Sequence, residues 1–224
     1  MDQVAGWDWI ETGAERDRCL ERPVEVYKED YRNITGLVKI MVLKRPDIVK
    51  TTDAIGWTPL HYAALRGYLN VTRVLLNCDS STLYILDKTG MSALHVAACA
   101  GHTKVLKEFI RRRPDACDLL NDKGQNILHY AILGECIFVV KYILKTAKLA
   151  RLINEADNDG NTPLHLAAIY RIEDSIIGSF ASDPRVDRTA INNEFLHAVD
   201  IYVRRNFKLI LVSQIAALKY KRHK

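Results

Sequence analysis

Gly56-Trp57-Thr58-Pro59-Leu60-His61 is repeated, with changes, as Gly90-Met91-Ser92-Ala93-Leu94-His95, Gly124-Gln125-Asn126-Ile127-Leu128-His129 and Gly160-Asn161-Thr162-Pro163-Leu164-His165; the copies start 34, 34 and 36 residues apart. Self-similarity at this period marks stacked units, each burying its apolar flank on the next. An Asp or Asn (Asp53, Asp87, Asn121, Asp157) stands three residues before each glycine. Such side chains bond their own backbone in turns, and glycine supplies positive φ. The third position holds Thr58, Ser92, Asn126 or Thr162, all favoured helix N-caps. Pro59 and Pro163 follow, where a missing N–H costs nothing. Each unit therefore begins with a turn and then enters a helix.

The first helix of a unit is small-faced, through Ala63-Ala64, Ala97-Ala98, Ala131 and Ala167-Ala168, and stops at Gly67 and Gly101. A second helix carries an apolar stripe at Val71, Leu75, Leu76, then at Val105, Phe109, Ile110, then at Val139, Ile143, Leu144. Pro46 and Pro114, each inside Arg-Pro-Asp, fall where such a helix must end.

TPLHxAA in a helix–turn–helix unit of this length resembles the ankyrin repeat, over about Leu37 to Ile201. The resemblance implies an all-α ankyrin-repeat solenoid of stacked helix–turn–helix units with short β-turn fingers. Gly56 to Ala64, the Arg-Pro-Asp exits, Asp183-Pro184-Arg185-Val186-Asp187 and Asn192-Asn193-Glu194 further resemble the ankyrin part of plant ankyrin–transmembrane proteins of the accelerated-cell-death type. In that family a multi-helix PGG membrane domain follows the repeats. Ile215 to Tyr220 is similar to the joining segment, so the expectation is a soluble variant or a truncated gene product.

The expected organisation is an N-terminal tail over 1–20, a repeat domain over 21–204 with its best units at about 53–180, and a basic helix or tail over 205–224. The pattern decays at both ends. One period back, Tyr27 takes the His position, Leu37, Met41 and Val42 take the stripe, and Glu29-Asp30 replace the Ala pair as a polar cap. Glu135 and Arg171 stand where Gly67 and Gly101 stand; Gly134 offers a one-residue shift as rescue. The fourth stripe carries Ser175 and Ser179. Phe195 takes a glycine position, and His197 is a poor cap.

The chemistry classes narrow quickly. Five cysteines without a CxxC pair argue for reduced thiols in a cytosolic or nuclear compartment; the expected location is the cytoplasm, with the cytoplasmic face of a membrane as the second reading. No apolar run approaches the roughly 20 residues of a membrane span. The four motif histidines cannot share a metal, since packed helices lie about 8–10 Å apart and zinc ligands about 2 Å from the ion. Asp87-Lys88-Thr89-Gly90 matches the aspartyl-phosphate signature of transport ATPases, but its register makes it a turn. Cys99 and Cys136 read as packing residues within repeat helices. No catalytic, cofactor-binding or metal-binding residue is assigned, and no cofactor or small-molecule substrate is expected. Residues 201–224 hold seven Lys and Arg and no acid. They suit a solvated end, a patch for anionic lipid or a nuclear address. The array has no basic stripe with interleaved aromatics, which argues against nucleic acid.

The expected function is a non-enzymatic protein-interaction adaptor, with defence or stress signalling implied by the plant resemblance. The alternative is a membrane-associated signalling subunit. The expected contact surface is the concave face: turn residues Trp57, Met91, Gln125 and Asn161, helix residues Tyr62, Val96, Tyr130 and Leu166, and Arg66. The motif residues Thr58, His61, Ser92, His95, Asn126, His129, Thr162 and His165 are expected to be structural. Stability should fall from residue 165 onward. Amide hydrogen exchange should show declining protection there, and uniform protection to residue 200 would contradict this reading.

Overall fold

The computed structural model describes residues 31–170 and 174–204. Expectations about the tail over 1–20, the cap at Tyr27 to Asp30, Arg171 and the segment 205–224 lie outside the described residues. Helix α1 spans Tyr31–Lys44. Four helix pairs follow: α2 Pro59–Arg66 with α3 Leu69–Cys78, α4 Ala93–Cys99 with α5 Thr103–Arg112, α6 Ile127–Leu133 with α7 Ile137–Lys145, and α8 Pro163–Ile169 with α9 Asp174–Ala181. Residues 198–204 are helical again, as α10. First helices pack on first helices through their alanine faces, and second helices line up behind them. The architecture is an all-α repeat solenoid. Among the described residues there is no strand, only an isolated bridge between Ile191 and His197.

Each unit opens with a finger closed on itself by hydrogen bonds. The Asp53 N–H donates to Trp57 O and the Gly56 N–H to Asp53 O, while Asp53 Oδ1 accepts the N–H groups of Ile55 and Trp57. The same pattern holds at Asp87, Asn121 and Asp157. Asn192 repeats it in a fifth finger. Adjacent fingers are joined by one backbone bond each: Lys88 N–H to Ile55 O (3.1 Å), Asp122 to Thr89 (3.3 Å), Asn158 to Lys123 (2.9 Å) and Asn193 to Asp159 (3.0 Å). These bonds set the stacking register of the whole edge.

The second-helix stripes fill the core in the middle units but not at the ends. Val71, Leu75, Val105, Phe109, Val139 and Ile143 are buried as expected. In α1 the inward residues are Ile34, Val38 and Val42, while Leu37 and Met41 are exposed, so the stripe is one residue later than one period back. The fourth stripe is also displaced by one. Ile176 and Phe180 are fully buried. Ser175 is exposed, and the Ser179 hydroxyl bonds back to Ser175 O. The expected polar stripe is therefore an apolar one in a shifted register. On the outer side, buried Glu108 ties α5 to α3 by accepting Arg111 and Arg112 and pairing with Arg73, and Arg112 also donates to Asn77 Oδ1. Arg111 above all holds that carboxylate down at about 2.

Gly134 does not rescue the third unit by a shift. It is right-handed at φ −80°, and Glu135 itself takes the left-handed conformation at φ 54°. Gly134 is needed for another reason: a Cβ there would sit 2.0 Å from the Cys99 carbonyl oxygen of the preceding layer. Phe195 likewise takes φ 58° where the four earlier fingers have glycine. The poor cap at His197 is compensated, because Asp200 Oδ2 accepts the His197 N–H at 3.0 Å.

Two alanine substitutions separate close packing from helix propensity. Gly134→Ala should destabilise the protein by more than about 2 kcal/mol, because a backbone oxygen must move. Gly178→Ala, on α9 with nothing within 4 Å of an added Cβ, should stabilise it by about 0.5–1 kcal/mol. Urea unfolding checks both, and similar effects at the two sites would refute the assignment.

Candidate functional site

The sequence places a histidine at the third position of each first helix, and the fold gives each ring two fixed partners. Nδ1 accepts the N–H of the cap residue: Thr58 to His61 (3.1 Å), Ser92 to His95 (3.1 Å), Asn126 to His129 (3.2 Å) and Thr162 to His165 (3.2 Å). A backbone N–H can only donate, so Nδ1 is unprotonated and Nε2 carries the hydrogen. Nε2 then donates to a carbonyl of the next finger: Met91 (3.2 Å), Gln125 (3.1 Å), Asn161 (3.1 Å) and Leu196 (3.0 Å). The Thr58, Ser92 and Thr162 hydroxyls also lie within 2.8–2.9 Å of Nδ1, and can donate to it. Asn126 has no hydroxyl to offer: its amide oxygen accepts the Leu128 and His129 N–H groups and makes no bond to the unprotonated Nδ1, and its amide N–H groups go to Leu152 O and Glu155 Oε2. Both ring nitrogens are thus engaged within the protein, leaving no lone pair for a metal. Among the described residues no group of three His, Cys, Asp or Glu side chains could hold one.

A second set of layer ties runs at the far end of the first helices. His102 Nε2 donates to Leu65 O (2.9 Å), and one unit later the Cys136 thiol donates to Cys99 O (3.1 Å). Cys136 is therefore the residue that caps α7, not one within a helix as expected; Cys99 is inside α4 and buried. Asp87 is committed to its finger, since Oδ1 accepts from Thr89 and Met91, so the phosphorylation-like signature is a turn.

The expected contact row divides. Tyr62 is exposed, and its hydroxyl donates to Asp53 Oδ2 at 2.6 Å. Trp57, Arg66 and Met91 are partly exposed. Val96, Gln125, Tyr130, Asn161 and Leu166 are buried, which removes them from an exposed row. The cause is the next layer. Tyr130 packs edge-on against His95 and receives the Asn121 amide at its hydroxyl. The finger residues act as staples: Trp57 Nε1 donates to Asp87 Oδ2 (2.9 Å), Asn161 Oδ1 accepts from Asn192 Nδ2 (3.0 Å), and Gln125 bonds the Asp157 carboxylate.

Sequence reasoning missed a different row. Leu86 and Leu120 are each 39% exposed and Ile191 is 51% exposed. With exposed Ala156 they occupy the residue just before the Asp or Asn of successive fingers. Apolar residues beside a turn that is already satisfied by backbone bonds were the available signal. A groove of about 350 Å³, lined by Ile34, Arg66, Tyr68 and Lys104 among others, is open to solvent.

Burial holds His95 and His129 down at about 4. A histidine with a folded pKa below its unfolded value contributes stability that is complete above the unfolded pKa, about 6.5. That contribution is lost as pH falls toward 4; at His95, protonation would put a hydrogen on Nδ1 facing the Ser92 N–H. Stability to urea should therefore drop steeply between pH 6.5 and 4, before most carboxylates titrate. A flat profile over that window would contradict the assigned tautomer.

A family model for ankyrin repeats, in three copies, matches residues 30–116 and 107–177. Among solved structures, a chain in the complex of a predatory endopeptidase from Bdellovibrio bacteriovorus with an immunity protein has a similar fold, at TM-score 0.64 and 24% identity, covering 82% of this chain and 95% of that one. No curated protein matches the sequence significantly.

Proposed function

The chain belongs to the ankyrin-repeat family, and from that premise we propose that it is a non-catalytic adaptor holding a protein partner on its concave side. Ankyrin repeats make protein–protein interaction modules. The observation that carries the reading is the registered row of exposed apolar residues Leu86, Leu120 and Ile191 along the fingers, with Tyr62 on the first exposed helix face. Aligned apolar side chains on a rigid, backbone-bonded edge form a preorganised contact surface. Trp57, Met91 and Arg66 border it. The buried Val96, Gln125, Tyr130, Asn161 and Leu166 support it by fixing the layers behind it.

The repeat array is proposed to occupy 21–204, with 1–20 and 205–224 outside it, in the cytoplasm. The narrower plant resemblance rests on sequence phrasing alone, and it supports a setting in defence or stress signalling. In that setting the basic segment 205–224 would meet the cytoplasmic face of an anionic membrane. No helix among the described residues is long and apolar enough to cross one.

A photo-crosslinking residue at Tyr62 or Leu86 should capture a protein partner, while one at Lys141, on the exposed side of α7, should not. Capture from Lys141 alone would refute the concave-side assignment. Chain found on membranes should be released by about 0.5 M salt if the attachment is electrostatic; retention would refute that attachment.

A further inference from the structure

Each second helix turns one row of side chains away from its buried stripe. On α3 that row is Asn70, Arg73 and Asn77, on α5 Lys104, Lys107 and Arg111, and on α7 Phe138, Lys141 and Lys145; all are exposed. Helix α1 adds Lys39 and Leu43, also exposed. Lys39, Arg73, Lys107 and Lys141 stand 34 residues apart, so each of four layers sets one cation at the same register. Successive second helices touch, which brings these cations side by side on the outer wall of the solenoid. No basic stripe shows along the sequence because its members lie one period apart; stacking assembles it. Helix α9 has no Lys or Arg and closes the row.

The wall keeps its charge. Across α1, α3, α5 and α7 the one acid is Glu108. It is buried and serves Arg73, Arg111 and Arg112 together, so three guanidinium groups share one carboxylate. Beyond the helix ends, Asp47 pairs with Arg45, Asp79 with Lys50, Asp118 with Arg151 and Asp183 with Arg185, while Asp115 accepts the Tyr84 hydroxyl. Glu135 precedes α7, and Lys148 follows it. Lys39, Lys104, Lys141 and Lys145 make no ion pair among the described residues. Lys107 lies 4.9 Å over the Tyr142 ring of the next layer.

Two bulky apolar side chains stand in the same rows. Leu43 is 83% exposed and Phe138 is 78% exposed. Each is one helical turn from a row lysine, Leu43 from Lys39 and Phe138 from Lys141. At the outward pole of a helix they gain nothing for folding. Beside cations they match a lipid surface, where Lys and Arg meet anionic headgroups and Leu and Phe enter the acyl boundary. A nucleic-acid backbone would serve the cations but not Leu43. A second copy of the same wall would oppose like charges.

We propose that the outer wall of the second helices docks on an anionic lipid bilayer, with Lys39, Arg73, Lys107 and Lys141 at the headgroups and Leu43 and Phe138 inserted. The first helices and fingers then face away from the lipid. This attachment is separate from the one assigned to 205–224 and does not depend on the adaptor reading.

The test co-sediments the full chain with phosphatidylserine–phosphatidylcholine vesicles and with phosphatidylcholine vesicles alone. Only the anionic vesicles should bind. Lys107→Glu/Lys141→Glu should weaken binding by about tenfold or more, since each cation near the surface adds to the attraction, with the fold intact by circular dichroism. Phe138→Ser should weaken it several-fold and leave the salt dependence unchanged, which a purely electrostatic contact would not show. Lys219→Gln/Lys221→Gln/Arg222→Gln removes tail charge and should leave the vesicles bound. Equal binding by Lys107→Glu/Lys141→Glu, loss of all binding in the tail variant, no preference for phosphatidylserine, an unchanged affinity for Phe138→Ser, or binding of duplex RNA with silent vesicles would each overturn the proposal. Partner capture at Tyr62 or Leu86 is read separately, so silent vesicles would leave the adaptor reading intact.

Discussion

The hydrogen bond from a buried histidine Nε2 to a carbonyl of the following finger is the constraint on which the other contacts depend. It is made four times, at 3.0–3.2 Å, by His61, His95, His129 and His165. It joins three things that must agree: the start of a first helix, the tautomer of the ring and the position of the next layer. The cap N–H fixes the ring from one side, so the other side can only donate forward. A neutral imidazole buried between two helices would be costly if either nitrogen lacked a partner. With both engaged, it converts a local cap into a tie between units. The array thereby propagates its own register along the chain.

That tie explains why so much of the expected contact row went inside. Once the next finger is drawn onto the histidine, the side chain after Gly lies against the following Asp or Asn. Trp57 answers with its indole N–H to Asp87, Gln125 with its amide to Asp157, and Asn161 with its amide oxygen to Asn192. Met91 has no donor, and Asn121 turns its amide to Gln125 and Tyr130 instead. The polar ladder is thus adapted unit by unit, while the backbone bonds between fingers stay constant. What reaches solvent is the residue before each turn, whose neighbours are already satisfied.

The repeat was readable from copies 34–36 residues apart, and the caps and the structural role of the histidines from residues three apart in one helix turn. Thr58 and His61 sit in one local motif whose chemistry needs no knowledge of the next layer. The burial of Tyr130 and Leu166 was not readable in that way. It depends on how closely successive first helices approach, which a single unit does not encode. The end stripes failed for a related reason. Ser175 and Ser179 keep the arithmetic place of Val139 and Ile143, but the fourth unit is longer, and α9 turns so that Ile176 and Phe180 face inward. Hydrophobic burial outweighs sequence count wherever the two disagree by one residue. Gly134 misled because it sits beside the strained position. Its requirement comes from the carbonyl of Cys99, 35 residues earlier, a contact that only the stacked layers reveal.

A quasi-one-dimensional fold also decides where strain can persist. Each unit touches only its neighbours, so a local cost is offset locally or not at all. Glu135 takes a left-handed backbone within the third unit, where buried layers on both sides determine the chain path. Phe195 takes one in the fifth finger, where the preceding side is held by His165 Nε2 at Leu196 O and by Asn192 at Asn161. The same backbone geometry therefore has two different settings. At Glu135 the adjacent Gly134 lies against the Cys99 carbonyl, and the left-handed conformation falls on the residue after it. At Phe195 no such packing requires a large side chain, and the ring projects outward. The contrast separates strain that the stack imposes from strain that the surface keeps.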